Sequence, residues 1–116
     1  MLGSPIPAAQ YLRISREVQH WSIPEQIASI RRFAAINNFE IVQTYRDTAS
    51  GLLIKNRSGL QQLLSDVLKG RAQYRAVLVH DVGRWGRFQD TDEGAYYEFL
   101  CKQAGVRVHY CRTICE

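Results

Sequence analysis

The sequence predicts an α/β protein in three layers (αβα), with helices on both faces of a mainly parallel sheet of four to five strands. Apolar runs of strand length alternate with segments of helical periodicity along the chain. One run, residues 76 to 79, reads Ala-Val-Leu-Val without a polar residue, which is typical of a parallel strand buried on both faces. The resulting βαβαβαβ order implies a parallel sheet with right-handed crossovers and helices on both faces.

The first part of the chain contains two predicted strands and one helix. Residues 8 to 14 alternate loosely between apolar and polar side chains and predict a strand that ends at Ser15. The run Ser22-Ile23-Pro24-Glu25 is a capping box with an early proline, so we expect a helix from there to about Asn37. Residues 40 to 46 predict the second strand. The expected buried face of the helix consists of Ile27, Ile30, Phe33 and Ala34.

The second part contains two more helices and two more strands. Residues 47 to 57 predict a loop, after which Ser58 is expected to cap a helix that runs to Lys69. A further loop is expected over residues 82 to 91, after the buried strand. Residues 92 to 104 predict a helix that stops before Gly105, and residues 106 to 111 predict the fourth strand. The expected inward-facing residues are Leu60, Leu63, Leu64, Val67 and Leu68 in the earlier helix, and Tyr96, Phe99 and Leu100 in the later one.

The 116 residues, 46% hydrophobic and 22% charged, have the size and composition of one globular domain. We expect a flexible N-terminus over residues 1 to 8 and the folded domain over residues 9 to 116. No apolar run approaches the ~20 residues of a membrane span. The first residues lack the basic and apolar regions of a signal peptide. The expectation is a cytoplasmic protein without a membrane partner.

The three cysteines have no C-x-x-C spacing, which indicates reduced thiols rather than a disulfide framework. The positions of His80, His109 and Cys111 match no zinc-ligand spacing. We therefore expect no metal site and no cofactor.

The net charge of +4 favours a polyanionic partner, although a solvated basic surface gives the same sum. The kind of cation is more informative, because 12 of the 15 basic residues are arginine. Arginine binds phosphate through parallel hydrogen bonds from its planar guanidinium.

Arginines and one serine stand where the predicted strands end. Arg13 and Ser15 close the first strand, Arg57 lies in the loop after the second, and Arg84 and Arg87 follow the third. In open parallel sheets, ligands bind outside the carboxyl ends of the strands. A hydroxyl nucleophile beside several guanidiniums suits attack on a phosphodiester, because positive charge stabilises the charge that develops on the phosphoryl oxygens. A strand-end serine that only forms a turn is the alternative.

These motifs also resemble those of a known family. The run Tyr11-x-Arg13-x-Ser15, the segment Asp47 to Leu60 and the pair Arg84-x-x-Arg87 resemble the catalytic domain of the serine site-specific recombinases, the resolvase/invertase family. The large bacterial members, whose loop reads Arg-Trp-Gly-Arg, are the most similar. The resemblance extends over residues 9 to 112.

The resemblance implies a DNA recombinase that works through a covalent intermediate. Ser15 would attack a phosphodiester of duplex DNA, join the 5′ phosphate and release a 3′ hydroxyl. The implied catalytic residues around it are Arg13, Asp47, Arg57, Arg84 and Arg87. In its full-length context, such a protein would assemble as a homodimer or tetramer.

Supporting residues are implied at three further positions. Gln19 matches a family position that contacts the active-site region, and Ser50 and Gly51 match the Ser-Gly of a mobile loop. Ordinary polar loop and turn residues are the alternatives for all three. For Asp47, the residues leave open whether it orients Arg13, orients Arg57 or caps a turn.

The chain departs from the family pattern before the first arginine of the third-strand loop. Many members carry aspartate there, whereas this chain has Gly83, so the proton-handling carboxylate is either displaced to Asp81 or absent. Trp85, where leucine is common, is expected to anchor the loop. Family members also continue into a long helix and a DNA-binding region. Because the sequence ends at Glu116, we expect a catalytic domain without those parts, either excised or naturally truncated.

Two other functions remain open at this point. One is a non-catalytic module with the same fold, either a truncated remnant or an oligomerisation partner, which Gly83 and the missing C-terminal tail suggest. The other is a flavodoxin-like signalling domain modified at Asp47. Such domains usually gather several acidic residues after the first strand, where this chain has Arg13 and Ser15.

Overall fold

The central feature of the fold is a parallel sheet. A computed structural model describes residues 3–14, 22–48, 54–86 and 91–112. Within them, four strands form one sheet in the order β2-β1-β3-β4, and every pair is parallel. The strands are β1 (Ile6–Arg13), β2 (Phe39–Asp47), β3 (Ala76–Val79) and β4 (Arg107–Tyr110). The α-helices are α1 (Ile23–Asn37), α2 (Ser58–Leu68), α3 (Val82–Gly86) and α4 (Thr91–Gln103). The predicted α/β class is confirmed.

The sheet begins earlier than the sequence indicates. Ile6 donates its N–H to the carbonyl of Asn38 (2.9 Å), and the carbonyl of Pro7 accepts from the N–H of Arg75 (2.9 Å). Residues 6 and 7 therefore belong to β1, although we expected them in a flexible N-terminus. Backbone pairing on both sides of the strand overrides the weak apolar alternation of this segment.

The helices divide between the two faces of the sheet. Helix α1 covers one face, where Ile30 and Ala34 pack against Ala8, Leu12 and Leu78. Helices α2, α3 and α4 cover the other face. Their buried side chains meet the alternate residues of β1 and β3, which point to that side. This second cluster includes Tyr11, Leu60, Leu63, Leu64, Val67, Val79, Trp85 and Cys101.

The boundaries of α1 agree with the sequence signals. The Ser22 hydroxyl accepts from the N–H of Glu25 (3.3 Å), and the Glu25 carboxylate accepts from the N–H of Ser22 (2.8 Å). This is the predicted capping box. At the other end, Asn38 adopts a left-handed conformation with φ 61°, which stops the helix. The start and the end of α1 are thus confirmed.

The inward face of α4 was predicted wrongly. Tyr96 and Phe99 are 56% and 53% exposed, whereas Cys101 is fully buried and Tyr97 packs against the core. In the observed orientation of α4, the carbonyl of Gly94 accepts a hydrogen bond from the buried Trp85 indole (3.0 Å). Leu68, which closes α2, is also half exposed.

The segment after β3 also differs from the prediction. Residues 82 to 86 form the short helix α3, where the sequence predicted a loop. The carboxylate of Asp81 accepts from the N–H of Arg84 (3.1 Å) and so starts this helix. Within the described residues, no helix has the length and apolar character needed to cross a membrane.

Candidate active site

Four of the predicted site residues meet at the carboxyl edge of the sheet. Arg13 and Asp47 are register partners at the ends of β1 and β2. Arg84 lies in α3, directly after β3, and Arg57 immediately precedes α2. All four are buried, with exposed fractions of 1% for Arg13, 5% for Asp47, 0% for Arg57 and 6% for Arg84. Buried arginines are rare and need hydrogen-bond partners. This edge of the sheet therefore contains a hydrogen-bonded polar cluster inside the core.

Two of the guanidiniums hold the backbone of α3. Arg13 donates from Nη2 to the carbonyl of Gly83 (2.9 Å) and from Nε to the carbonyl of Arg84 (3.3 Å). Arg57 donates from Nη2 to the same Arg84 carbonyl (2.8 Å). The last carbonyls of a helix lack intrahelical partners and carry partial negative charge. The two arginines satisfy them and thereby fix α3, which carries Arg84, against β1.

The Tyr11 hydroxyl joins Arg57 to Asp47. It donates to Oδ2 of Asp47 (2.6 Å) and accepts from Nε and Nη2 of Arg57 (3.1 and 3.0 Å). Burial raises the pKa of Tyr11 well above its ordinary value of 10.0, so the hydroxyl keeps its proton. The Arg57 guanidinium also lies over the Tyr11 ring, 5.4 Å from its centroid. Sequence reasoning treated Tyr11 only as part of a motif. Tyr11 lies two residues before Arg13, so both side chains are on the same face of β1, and this spacing was the available signal.

Asp47 caps helix α2 from a distance. Its Oδ1 accepts from the N–H of Gly59 (2.7 Å) and its Oδ2 from the N–H of Leu60 (3.0 Å). The sequence left open whether Asp47 orients Arg13, orients Arg57 or caps a turn. In the structure Asp47 caps the start of a helix, and it is linked to Arg57 through the Tyr11 hydroxyl.

The predicted cap at Ser58 is therefore wrong. Ser58 is already the first helical residue, and Arg57 at the cap position makes no side-chain capping bond. The Asp47 carboxylate replaces a local cap because α2 starts very close to the end of β2. Gly59 permits this approach, since a Cβ there would lie 2.5 Å from the carbonyl oxygen of Arg46.

Asp81 is the candidate substitute for the carboxylate missing at Gly83. In the structure its carboxylate caps the start of α3. Its Oδ2 lies 4.0 Å from Nε2 of His80, and burial lowers the pKa of that histidine. A Cβ at Gly83 would lie 3.4 Å from Oδ1 of Asp81, an ordinary contact. Participation of Asp81 in proton transfer stays a prediction.

Trp85 has the anchoring position that the sequence suggested. Its side chain is 1% exposed, donates to the carbonyl of Gly94 and meets the Tyr11 ring edge-on at 6.3 Å. It therefore ties α3 to α4 and to β1.

Gln26 is a buried site neighbour that sequence reasoning missed. Its carboxamide accepts from the N–H of Arg13 (3.2 Å) and donates to the carbonyl of Arg13 (2.9 Å). The available signal was a polar residue between Ile23 and Ile30 on the apolar face of α1.

Five predicted residues lie outside the part of the chain that the structure describes: Ser15, Gln19, Ser50, Gly51 and Arg87. Their positions and roles stay predictions. Among the described residues, no group of three His, Cys, Asp or Glu side chains has an arrangement that could hold a metal ion.

The fold corresponds to that of a known class of catalytic domain. A solved structure of the C-terminal catalytic domain of ISC1926 TnpA, an IS607-like serine recombinase, shares 28% identity with the chain. The match covers 93% of this chain and 69% of that one, with a TM-score of 0.75.

Two further structures show the same fold. The N-terminal catalytic domain of TP901-1 integrase is 22% identical over 90% of this chain and 76% of its own, with a TM-score of 0.73. A resolvase family site-specific recombinase from Streptococcus pneumoniae is 22% identical over 91% and 72%, with a TM-score of 0.74.

The family assignment follows from the sequence match. The family model described as the resolvase N-terminal domain matches residues 8–114. The chain belongs to this family and contains its serine recombinase catalytic domain. No curated protein sequence matches the chain.

Proposed function

We propose that this domain cleaves and rejoins duplex DNA by transesterification, with Ser15 as the nucleophile. The observation that supports this most strongly is the convergence of buried Arg13, Arg57 and Arg84 at the end of β1, two residues before Ser15 in the chain. The family to which the chain belongs consists of DNA recombinases, which agrees with a phosphodiester substrate.

The bond changes in the proposed reaction balance without an energy source. Ser15 Oγ forms a bond to phosphorus and its proton passes to a base or to solvent. The bond from phosphorus to the 3′ oxygen breaks, and that oxygen takes up a proton and leaves as a 3′ hydroxyl. Because the 5′-phosphoserine ester retains the energy of the broken ester, a 3′ hydroxyl can reverse the step and rejoin the strand.

The arginines have different roles in this proposal. The side chain of Arg13 is fixed by two carbonyls, and that of Arg57 by Tyr11 and the Arg84 carbonyl. Their positive charges are thus held in place before substrate arrives, which is the condition under which charge stabilises a transition state best. Arg84 and Arg87, on and after α3, supply further charge to the phosphoryl oxygens. Assembly of two or four copies on DNA belongs to the same proposal.

The test traps the covalent intermediate. The chain is joined to the long helix and DNA-binding region of a serine recombinase whose crossover site is known. The substrate is that site with sulfur in place of the 3′ oxygen of the scissile bond, because a thiolate leaves without protonation and rejoins poorly. Mass spectrometry of the digested adduct should place the nucleotide on Ser15, with and without EDTA.

Two controls make the test decisive. The donor recombinase's own catalytic domain, in the same fusion, must form its adduct on the same DNA. Ser15→Ala in this chain should form none. If the donor domain reacts and this chain does not, or if the adduct survives Ser15→Ala, the proposal is wrong and a non-catalytic module becomes the better interpretation.

A further inference from the structure

The backbone of Arg13 lies beyond the end of β3, the strand that pairs with β1 on one side. The N–H of Ile14 still pairs with the carbonyl of Asp47 on the β2 side (3.2 Å). On the β3 side, the last register pair is Tyr11 with Val79, and the chain then turns into α3. Alternate residues of a strand direct their backbone groups to opposite neighbours. The N–H and carbonyl of Arg13 therefore point to the side where no strand continues.

The Gln26 carboxamide takes the place of the missing strand. Its oxygen accepts from the N–H of Arg13 at 3.2 Å and its NH2 group donates to the carbonyl of Arg13 at 2.9 Å, as the two groups of a neighbouring peptide would. The side chain is completely buried. A buried glutamine bonded in this manner holds its partner firmly, because breaking either bond removes a hydrogen bond from a buried polar group.

The helix that carries Gln26 is itself fixed. Gln26 lies in the first turn of α1, and its own N–H bonds the carbonyl of Ser22 (3.0 Å) inside the capping box. The start of helix α1 is thus fixed, and the hydrogen bonds from Gln26 hold the end of β1 against it. From the other face, the Arg13 side chain holds the carbonyls of Gly83 and Arg84.

We infer that Gln26 is a positioning residue for the transesterification, acting through the backbone of Arg13. Its carboxamide fixes the end of β1, so that the Arg13 guanidinium stays in register with α3 and with the phosphate. This inference rests on the proposed function. It predicts a defect in the rate of the chemical step without a defect in DNA binding, because Gln26 is buried and α1 presents other residues to solvent.

Two variants at this position separate hydrogen bonding from packing. Gln26→Met keeps the length and volume of the side chain but removes both hydrogen bonds. Gln26→Glu keeps an acceptor for the Arg13 N–H but sets a carboxylate against the Arg13 carbonyl. When protonated, that carboxyl group regains the donor, so its defect should shrink as the pH falls. Gln43→Glu, at an exposed position on β2, is the matched control.

The measurement uses the fusion and the sulfur-containing site described above. Gln26→Met should form the Ser15 adduct about 10²-fold more slowly than the wild type, because small displacements of catalytic groups have effects of that order. Gel-shift affinity for the site should be unchanged. Gln26→Glu should be slow at pH 8 and approach the wild type at pH 5.5, whereas Gln43→Glu should follow the wild type throughout.

Rates are compared with the wild type at each pH, because other groups near this end of α1 are charged or titrate. They are Arg13 on β1, Glu25 on α1, and His80, Asp81, Arg84 and Arg112 at the strand ends. Circular dichroism melts establish that each variant is folded at the assay temperature. Amide exchange gives a second readout on the 116-residue chain, where the Arg13 N–H should exchange faster in Gln26→Met.

The outcomes distinguish this inference from the function on which it rests. Absence of a Ser15-dependent adduct in the wild-type fusion would reject both. A Ser15-dependent adduct that forms at the wild-type rate in folded Gln26→Met, or a Gln26→Glu defect that does not respond to pH, would reject the positioning role alone.

Discussion

The hydroxyl of Tyr11 and the carboxylate of Asp47 form a 2.6 Å hydrogen bond between neighbouring strands, and both groups are buried. This bond connects two structural tasks. Asp47 caps helix α2 with the same oxygen, and Tyr11 holds the Arg57 guanidinium. The start of α2 and the orientation of a predicted catalytic arginine therefore depend on one another.

Tyr11→Phe should destabilise the fold by about 1–3 kcal/mol. The substitution keeps the ring but removes the acceptor of two Arg57 donors and one donor to Asp47, which leaves buried polar groups with fewer partners. Urea denaturation at neutral pH measures the change. Tyr96→Phe, which alters an exposed ring, should stay within about 0.5 kcal/mol of the wild type. Equal stability of the two variants would contradict this account of Tyr11.

Gly59→Ala should lower stability by about 1–3 kcal/mol, because the new methyl group would lie 2.5 Å from the carbonyl oxygen of Arg46. The start of α2 would have to move away from β2, which also lengthens the capping bonds from Asp47. Gly3→Ala is the control, since its added Cβ has no atom within 4 Å. Thermal melts of the two variants test this, and a Gly59→Ala melt that overlays that of Gly3→Ala would show that α2 does not depend on close approach.

Asp66→Asn should reduce the loss of stability in acid. The Tyr45 hydroxyl donates to the Asp66 carboxylate (2.6 Å) and lowers the pKa of that group below its ordinary 3.8, with further bonds from Gln62 and Arg71. A carboxylate with a lowered pKa in the folded state stabilises the protein above its unfolded pKa, and this contribution disappears as the pH falls through the lowered value.

The comparison for Asp66 is the urea midpoint at pH 7 and at pH 2.5. The wild type should lose more stability over this range than Asp66→Asn, while Glu40→Gln, at an exposed position, should behave like the wild type. The effect should be small because Asp66 is partly exposed and solvent screens its interactions. A steeper acid dependence in Asp66→Asn would reverse the expected sign.

The 116-residue chain should bind duplex DNA weakly and without sequence preference, with Kd on the order of 10⁻⁴ to 10⁻⁶ M at physiological salt. Arginine contacts to phosphate carry no sequence information, whereas specificity requires contacts to base edges. Gel-shift titrations over a salt series, with two unrelated duplexes, measure both properties. Tight binding at 150 mM salt that distinguishes the two duplexes would show that this domain reads sequence by itself.

Local patterns in the sequence were sufficient for the architecture. The Ser22–Glu25 capping box, the left-handed Asn38 and the apolar run of β3 each act over a few residues, and the element order then brings Arg13, Asp47 and Arg84 to one sheet edge. The family resemblance drawn from the same motifs is confirmed by the match over residues 8–114.

Only the tertiary structure determined how those residues are held. Asp47 caps a helix twelve residues further along the chain, Tyr11 binds Arg57 across 46 positions, and Gln26 closes onto Arg13 across 13. The inward face of α4, with Cys101 and Tyr97 rather than Tyr96 and Phe99, likewise appeared only in the packed structure. Periodicity and capping signals reflect interactions between residues that are close in the sequence. They carry no information on the distances between elements, and those distances determine which buried polar groups can form hydrogen bonds with each other.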